Sequence, residues 1–260
     1  MAAAKVRLDQ LLAQRGLFPS RSRAAASVMA GEVRVGEELA DKPGRLVAPD
    51  ARVSVAGGRR FVSRGGIKLE NALQELAVPV EGRRCLDVGA STGGFTDCLL
   101  KGGAAEVTCV DVAYGELAWE LRTDERVTVL ERTNARALAP GDLPYRPGLI
   151  VADVSFISLL KVLPAVLRCA AERFDCLAMV KPQFEVGRDK IGKNGVVREL
   201  ADRRAAIVAV AQGAPAAVMG FAPSGLPGPK GNRETFVWLA ENGRAGAVDD
   251  IAGAVAEVDA

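Results

Sequence analysis

Two apolar runs in this 260-residue chain end in a charge: "LIVADVSF" at Asp153 and "LAMVKPQF" at Lys181. Such runs read as strands buried on both faces. A charge that ends one surfaces at the rim of a sheet, where leaving it unpaired is costly. Pairing of Asp153 with Lys181 across neighbouring strands is therefore expected. An ion pair that merely closes the sheet is one reading; a shared chemical task is the other.

A glycine-rich segment, "LDVGASTGGFTD" (86–97), could hold a ligand beside them. Its glycines stand at 89, 93 and 94, so neither the GxGxxG dinucleotide fingerprint nor a GK[ST] phosphate loop is present. Asp87, ahead of the glycines, suits a ligand with positive charge and no phosphate. S-adenosylmethionine, with its amino group and sulfonium, has that chemistry. About 20 residues on, Asp111 stands in "CVDVA", where a carboxylate can accept both hydroxyls of an adenosine ribose. Asn134, in "ERTNAR", follows a third strand-like run at the place for an adenine edge. The chain has no histidine. Ser-His-Asp triads, Cys-His nucleophiles and His-ligated zinc are excluded, and any general base must be Asp, Glu, Lys, Tyr or Cys.

The elements that position these residues follow from the hydrophobic rhythm. Strand-like runs at 84–90, 106–113, 126–132, 148–157, 176–183 and 216–222 alternate with helix-compatible spacers, as right-handed βαβ crossovers in a parallel sheet require. A seventh run, 234–240, follows the sixth too closely for a crossover and predicts an antiparallel insertion. The expected fold class is α/β: a Rossmann-like seven-stranded sheet with an antiparallel last strand, the architecture of class I methyltransferases. Residues 5–57 read instead as a small α+β unit. Its first helix ends near Gly16; the second has Ser20 as N-cap and stops at Gly31. Short strands follow at "EVRVG" and "ARVSVAG".

Charge divides along the same line. Residues 1–60 hold eleven Lys or Arg against six acids, so the remaining 200 residues sum to −3 in a chain of net charge +2. A basic module ahead of a near-neutral body suggests a grip on a polyanion. Arg21 and Arg23, at the second helix's first turn, could hold phosphates with its free N–H groups; a solvated basic face is the alternative. The five cysteines form no CxxC pair and read as buried thiols of a cytosolic, cytoplasmic protein. The N-terminus lacks the apolar core of a signal peptide. The longest uncharged run, 205–222, is broken by Gln-Gly-Ala-Pro into helix, turn and strand, so no membrane span is expected.

In chain order, "RLDQLLAQRGLFPSRSRAA", "FVSRGGIKL", "DVGASTGGFTDCLL", "VDVAYGELAW", "ERTN", "ADVSFISL", "VKPQFE" and "GPKGNRE" resemble the motifs of the TlyA (hemolysin A) family, an RNA-binding S4 domain followed by an FtsJ-like methyltransferase. The resemblance covers nearly the full length. It implies an S4-like domain at 1–58, a linker at 59–63 and a methyltransferase domain at 64–260. It further implies S-adenosylmethionine as cofactor and ribosomal RNA or ribosomal subunits as partner, with no metal and no membrane. The implied reaction is methylation of a cytidine ribose 2′-hydroxyl in the large subunit, and in some members the small subunit too; the chain's terminal extents resemble the dual-substrate type.

Lys68, Asp153, Lys181 and Glu234 resemble the Lys-Asp-Lys-Glu tetrad of FtsJ-like ribose 2′-O-methyltransferases. By the same resemblance the cofactor would be held by Asp87, Gly89, Ala90, Ser91, Thr92, Gly93, Gly94, Phe95, Asp111, Asn134 and Asp153. RNA would meet Arg7, Arg21, Arg23, Lys42, Arg59, Arg64 and Phe156, the last either stacking on an exposed base or filling a core. Without histidine, a lysine held partly neutral by burial and by a second lysine is the expected proton acceptor. Lys181 takes that part, oriented by Asp153, with Lys68 tuning the pair and Glu234 positioning Lys68 or the ribose. Four readings compete. A non-catalytic S4-type ribosome assembly factor is disfavoured by the intact tetrad, and an S4-linked pseudouridine synthase by the glycine loop. A nicotinamide enzyme is disfavoured by GxxxGG, and a membrane-lysing hemolysin by the lack of an amphipathic pore-former.

Overall fold

The computed structural model describes residues 5–18, 20–29, 31–55, 60–228 and 230–259. The N-terminal unit runs β1 (Val6–Arg7), α1 (Leu8–Gln14), α2 (Arg21–Met29), β2 (Val33–Val35), β3 (Glu38–Leu39), β4 (Leu46–Val47) and β5 (Val53–Val55). β2 lies between β3 and β5, antiparallel to both, and β1 pairs with β4. Leu8, Leu11 and Leu12 of α1 pack on Ala24 and Val28 of α2 and on Val33 and Val47, forming a core of their own. Ser20 Oγ accepts the Arg23 N–H at 3.2 Å, which caps α2 as its sequence predicts. The two-residue strands β1, β3 and β4 are too short for alternation to reveal them.

The rest of the chain runs α3 (Arg64–Glu75), β6 (Arg84–Val88), α4 (Gly94–Lys101), β7 (Glu106–Val110), α5 (Trp119–Arg122), β8 (Val127–Leu130), β9 (Leu149–Ala152), α6 (Leu163–Arg168), β10 (Asp175–Val180), α7 (Pro182–Glu185), α8 (Leu200–Gly213), β11 (Ala217–Pro223), β12 (Thr235–Ala240) and α9 (Ile251–Val258). The seven larger strands form one sheet in the order β11-β12-β10-β9-β6-β7-β8. All neighbours are parallel except β12, which is antiparallel to both β10 and β11. The expected insertion is thus present, with β12 wedged between the two preceding strands.

Alternation along each strand divides the core. Ile150 and Ala152 of β9 join Cys176, Ala178 and Val180 of β10 on the face covered by α6, α8 and α9. Leu149 and Val151 join Leu177 and Met179 on the face covered by α3 and α4. All five cysteines are buried free thiols; burial pushes Cys85 and Cys176 up to about 12. The chain leaves β6 towards β7 and β8, then returns to lay β9 on β6's other side. Such a reversal opens a crevice at the carboxyl ends of the strands.

The other end of the sheet is closed by an acid. Asp175, the first residue of β10, accepts from Arg83 Nη1 at 2.7 Å, Arg244 Nη1 at 2.5 Å and Trp238 Nε1 at 2.9 Å. It ties the approach to β6, the strand β12 and the turn after it to one buried carboxylate.

Candidate active site

Parallel strands β9 and β10 release Asp153 and Lys181 side by side, each one residue past its strand. Lys181 Nζ lies 2.5 Å from Asp153 Oδ1, outside hydrogen-bond angles, and donates to Ser155 Oγ at 2.9 Å. A second ion pair stands next to this one: Lys68, in the second turn of α3, bonds to Glu234, the residue before β12. Lys68 is 7% exposed and Glu234 4%. Each lysine therefore has its own carboxylate, Asp153 for Lys181 and Glu234 for Lys68.

The glycine loop shapes the crevice beside these pairs. Gly89 has φ +85°, and a Cβ there would stand 2.5 Å from the Asp153 carbonyl, so only glycine lets the β6 end pass the β9 end. Ser63 caps α3, accepting the Gly65 N–H at 3.3 Å, and the Gly94 backbone packs directly on Ser63 and Gly65. A crevice of ≈ 280 Å³ results, lined by Ser63, Arg64, Lys68, Gly89, Ala90, Ser91, Thr92, Gly94, Phe95, Asp153, Lys181 and Glu234. Gly89, Ser91 and Asp153 also wall a neighbouring cavity of ≈ 490 Å³ that contains Asp111, Thr133, Asn134 and Phe156. Asp111 accepts the Ser91 N–H at 2.7 Å and the Ala113 N–H at 2.8 Å; Asn134 Oδ1 caps a short turn through the Arg136 N–H at 3.1 Å.

A third cavity, of ≈ 340 Å³, lies across the ion pairs. Lys181 and Glu234 line it as well as the crevice, with Ser155, Phe156, Gln183, Phe184 and Asn232. Phe156 is 91% exposed and sits at φ +65°, a strained conformation for a bulky residue. Its ring meets Phe184 at 5.3 Å between centroids. This is no core phenylalanine.

Two residues expected at the cofactor lie elsewhere. Gly93, at φ +92°, is buried against Leu117 and Leu121. Asp87 shares the inward face of β6 with Cys85, towards α4, because side chains alternate along a strand. It is wholly buried and accepts from Thr96 Oγ1 at 2.7 Å, while its Oδ1 has no partner among the described residues. Burial first, opposed by the Thr96 bond and reinforced by Asp153 and Asp111, pushes its carboxyl up to about 7. A raised acid stabilises the fold fully only below the unfolded value near 3.8 and loses that contribution as pH climbs to about 7, at ~1.4 kcal/mol per pH unit. Urea unfolding of Asp87→Asn against the wild type should therefore show the difference moving in the variant's favour between pH 5 and pH 7. A pH-independent difference would contradict this.

Of the residues expected at RNA, Arg7 and Arg21 bond to buried Asp9, while Arg23 and Lys42 are exposed. Arg64 is half-buried in the crevice wall and donates to the Pro227 carbonyl at 2.8 Å. Burial lowers its pKa, with Asp41 and Glu234 acting the other way. Arg59 lies outside the described residues. Sequence reasoning missed Ser63, Ser155, Phe184 and Asp9. Ser155 stands two residues past Asp153 and could have been found by asking what else leaves the strand end there; the others depend on contacts distant in sequence.

A Rossmann-like sheet whose last strand inserts antiparallel, with lysine–carboxylate pairs at its carboxyl rim, defines a class I methyltransferase. More narrowly, the chain belongs to the FtsJ-like methyltransferase family, whose model matches residues 61–241, and it carries an S4 domain over residues 6–53. Over 242 residues it is 49% identical to the 16S/23S rRNA (cytidine-2′-O)-methyltransferase TlyA of Mycobacterium tuberculosis, covering 91% of this chain and 90% of that protein. It is 39% identical over 196 residues to Hemolysin A of Brachyspira hyodysenteriae, covering 75% and 81%. A solved structure from Streptococcus thermophilus, described as a hemolysin, superposes with TM-score 0.74 at 39% identity over 98% of this chain and 95% of that one.

Proposed function

We propose that the protein transfers a methyl group from S-adenosylmethionine to the 2′-hydroxyl of a cytidine in ribosomal RNA, in the large subunit and also the small. The observation that supports it most is the wall formed by two ion pairs, Lys68–Glu234 and Lys181–Asp153: all four residues line the glycine-loop crevice, and Lys181 and Glu234 also line the third cavity. A donor on one side and a ribose on the other would meet across it. Relatives named as ribosomal RNA methyltransferases agree with this reading.

The crevice suits the cofactor. The cavity beside it is acidic, with Asp111 and Asp153 lining it, which favours a cationic ligand over a phosphate. Asp111 would take the ribose hydroxyls and Asn134 the adenine edge, both residues lining that cavity. Bound there, S-adenosylmethionine supplies an activated methyl group. The chain's own residues then align and deprotonate the acceptor. After its ammonium has given up one proton to solvent, the neutral Lys181 Nζ takes the 2′-hydroxyl proton as the methyl group transfers, held in place by Asp153 and Ser155. Glu234 fixes Lys68, whose ammonium balances charge at the ribose oxygen. Phe156, kept outward by its backbone, stacks on the unpaired target base. Residues 1–58 hold the RNA, 59–63 join the units and 64–260 carry out the transfer, an activity that belongs in the cytoplasm. The hemolysin reading has less support: among the described residues no helix is long and apolar enough to cross a membrane.

The test is incubation of purified protein with unmethylated ribosomal subunits and methyl-labelled cofactor. Label in a cytidine 2′-O-methyl nucleoside after digestion is the expected result; its absence sinks the proposal.

A further inference from the structure

A cluster in the S4 unit plays no part in that chemistry. Asp9, in the first turn of α1, is 3% exposed, yet two arginines converge on it. Arg7 donates from Nε to Oδ1 at 3.1 Å and from Nη2 to Oδ2 at 2.8 Å; Arg21 donates from Nε to Oδ2 at 3.0 Å. The Arg7 and Arg21 side chains remain 44% and 56% exposed. A guanidinium has five N–H donors, so both keep donors beyond those given to Asp9.

The backbone holds Arg7 from a second direction. A Cβ on Gly44 would lie 2.9 Å from Arg7 Nη1 and 3.2 Å from Cζ and Nη2, so the guanidinium rests against the backbone of this turn and a methyl group there would push it aside. That turn begins at Lys42 and is pinned to α1: Pro43 O accepts the Asp9 N–H at 2.9 Å, and Arg45 O accepts the Leu8 N–H at 2.8 Å. One buried acid thus gathers cations from β1 and α2, beside the turn that carries Lys42. Pairing a buried carboxylate needs one arginine. Two arginines, each left half in solvent, form a pre-ordered donor set that loses less rotamer entropy when it meets a phosphate.

We propose that Asp9 is a positioning residue for the phosphate grip of the S4 unit, presetting Arg7 and Arg21, with Lys42 in the adjoining turn, to receive the backbone phosphates of RNA. This rests on the reading that the S4 unit holds RNA, and it makes a prediction opposite to simple charge. Asp9→Asn adds one positive charge, so as a bare charge effect it would tighten binding to any polyanion. Loss of positioning does the reverse. The full-length variant, shown to be folded by circular dichroism, should leave heparin at lower salt than the wild type. It should bind large ribosomal subunits roughly tenfold more weakly at fixed salt, with a shallower dependence of log K on log salt as phosphate contacts are lost.

Gly44→Ala changes no charge and displaces Arg7, and it should shift elution the same way. Elution of folded Asp9→Asn at equal or higher salt overturns the proposal. If that variant does not fold, Gly44→Ala decides alone, and unchanged elution overturns it. A wild type that neither binds nor methylates subunits would remove the ribosomal reading, while the heparin order would still decide the role of Asp9.

Discussion

Lys181→Ala should lower methyl transfer to ribosomal RNA by about a thousandfold while leaving cofactor affinity within a few-fold of the wild type. The split follows from position. Lys181 stands on the wall between the crevice and the third cavity, past the glycine loop and far along the rim from Asp111, so the adenosine side keeps its partners. Only the proton acceptor is lost, and a ribose hydroxyl is too weak an acid to react unaided. Lys181→Arg sharpens the result. Arginine keeps the cation and can pair with Asp153, but it cannot accept a proton at neutral pH. It should be nearly as inactive as alanine. Full activity in Lys181→Arg would mean that the residue acts as a fixed charge. Full activity in Lys181→Ala would remove it from the chemistry. Single-turnover assays with labelled cofactor and calorimetric cofactor binding give both numbers.

Asp175→Ala should be the most damaging substitution away from the rim, costing about 4 kcal/mol of stability. The carboxylate is 7% exposed and answers three donors, two of them guanidinium groups that are themselves mostly buried. Removing it leaves Arg83 and Arg244 without their shared countercharge, and uncompensated buried charge is the expensive outcome. Arg244 retains Glu241, at 2.6 Å, and Arg83 retains the Pro79 carbonyl at 3.1 Å, so the sheet weakens without losing its topology. A midpoint lowered by roughly 10 °C is expected for a domain of this size. Because Asp175 begins β10 and Lys181 follows its end, turnover at low temperature should stay near the wild-type value. A loss below about 1 kcal/mol would show that the guanidinium groups find water or new partners at no cost.

Much of this could be read in advance from local order. The seven large strands are hydrophobic runs whose lengths and spacings allow little else, and the short gap before "ETFVWLA" forces β12 to turn back. Asp153 and Lys181 were readable as a pair because each ends a strand that must be buried, and a charge there has one inexpensive solution. Ser20 as a cap and the reversal of charge near residue 60 are equally local. The placement of Asp87 is local as well, since alternation along β6 turns it to the side of Cys85 and away from the glycine loop's ligand face. Lys68 and Glu234 are 166 positions apart, and only family resemblance joined them beforehand.

The residue order alone settled which segments form the seven-stranded sheet, where their charges surface, and that no histidine takes part. These depend on hydrophobic period and composition, which act over a few neighbours. Tertiary structure decided that Lys68 meets Glu234, that Ser155 shares Lys181, that Phe156 faces solvent in a strained backbone, and that Asp9 collects two arginines. Each of those depends on the register and crossing of elements distant in the chain. Directional contacts between charged groups form only after packing of the apolar faces has brought their backbones within reach.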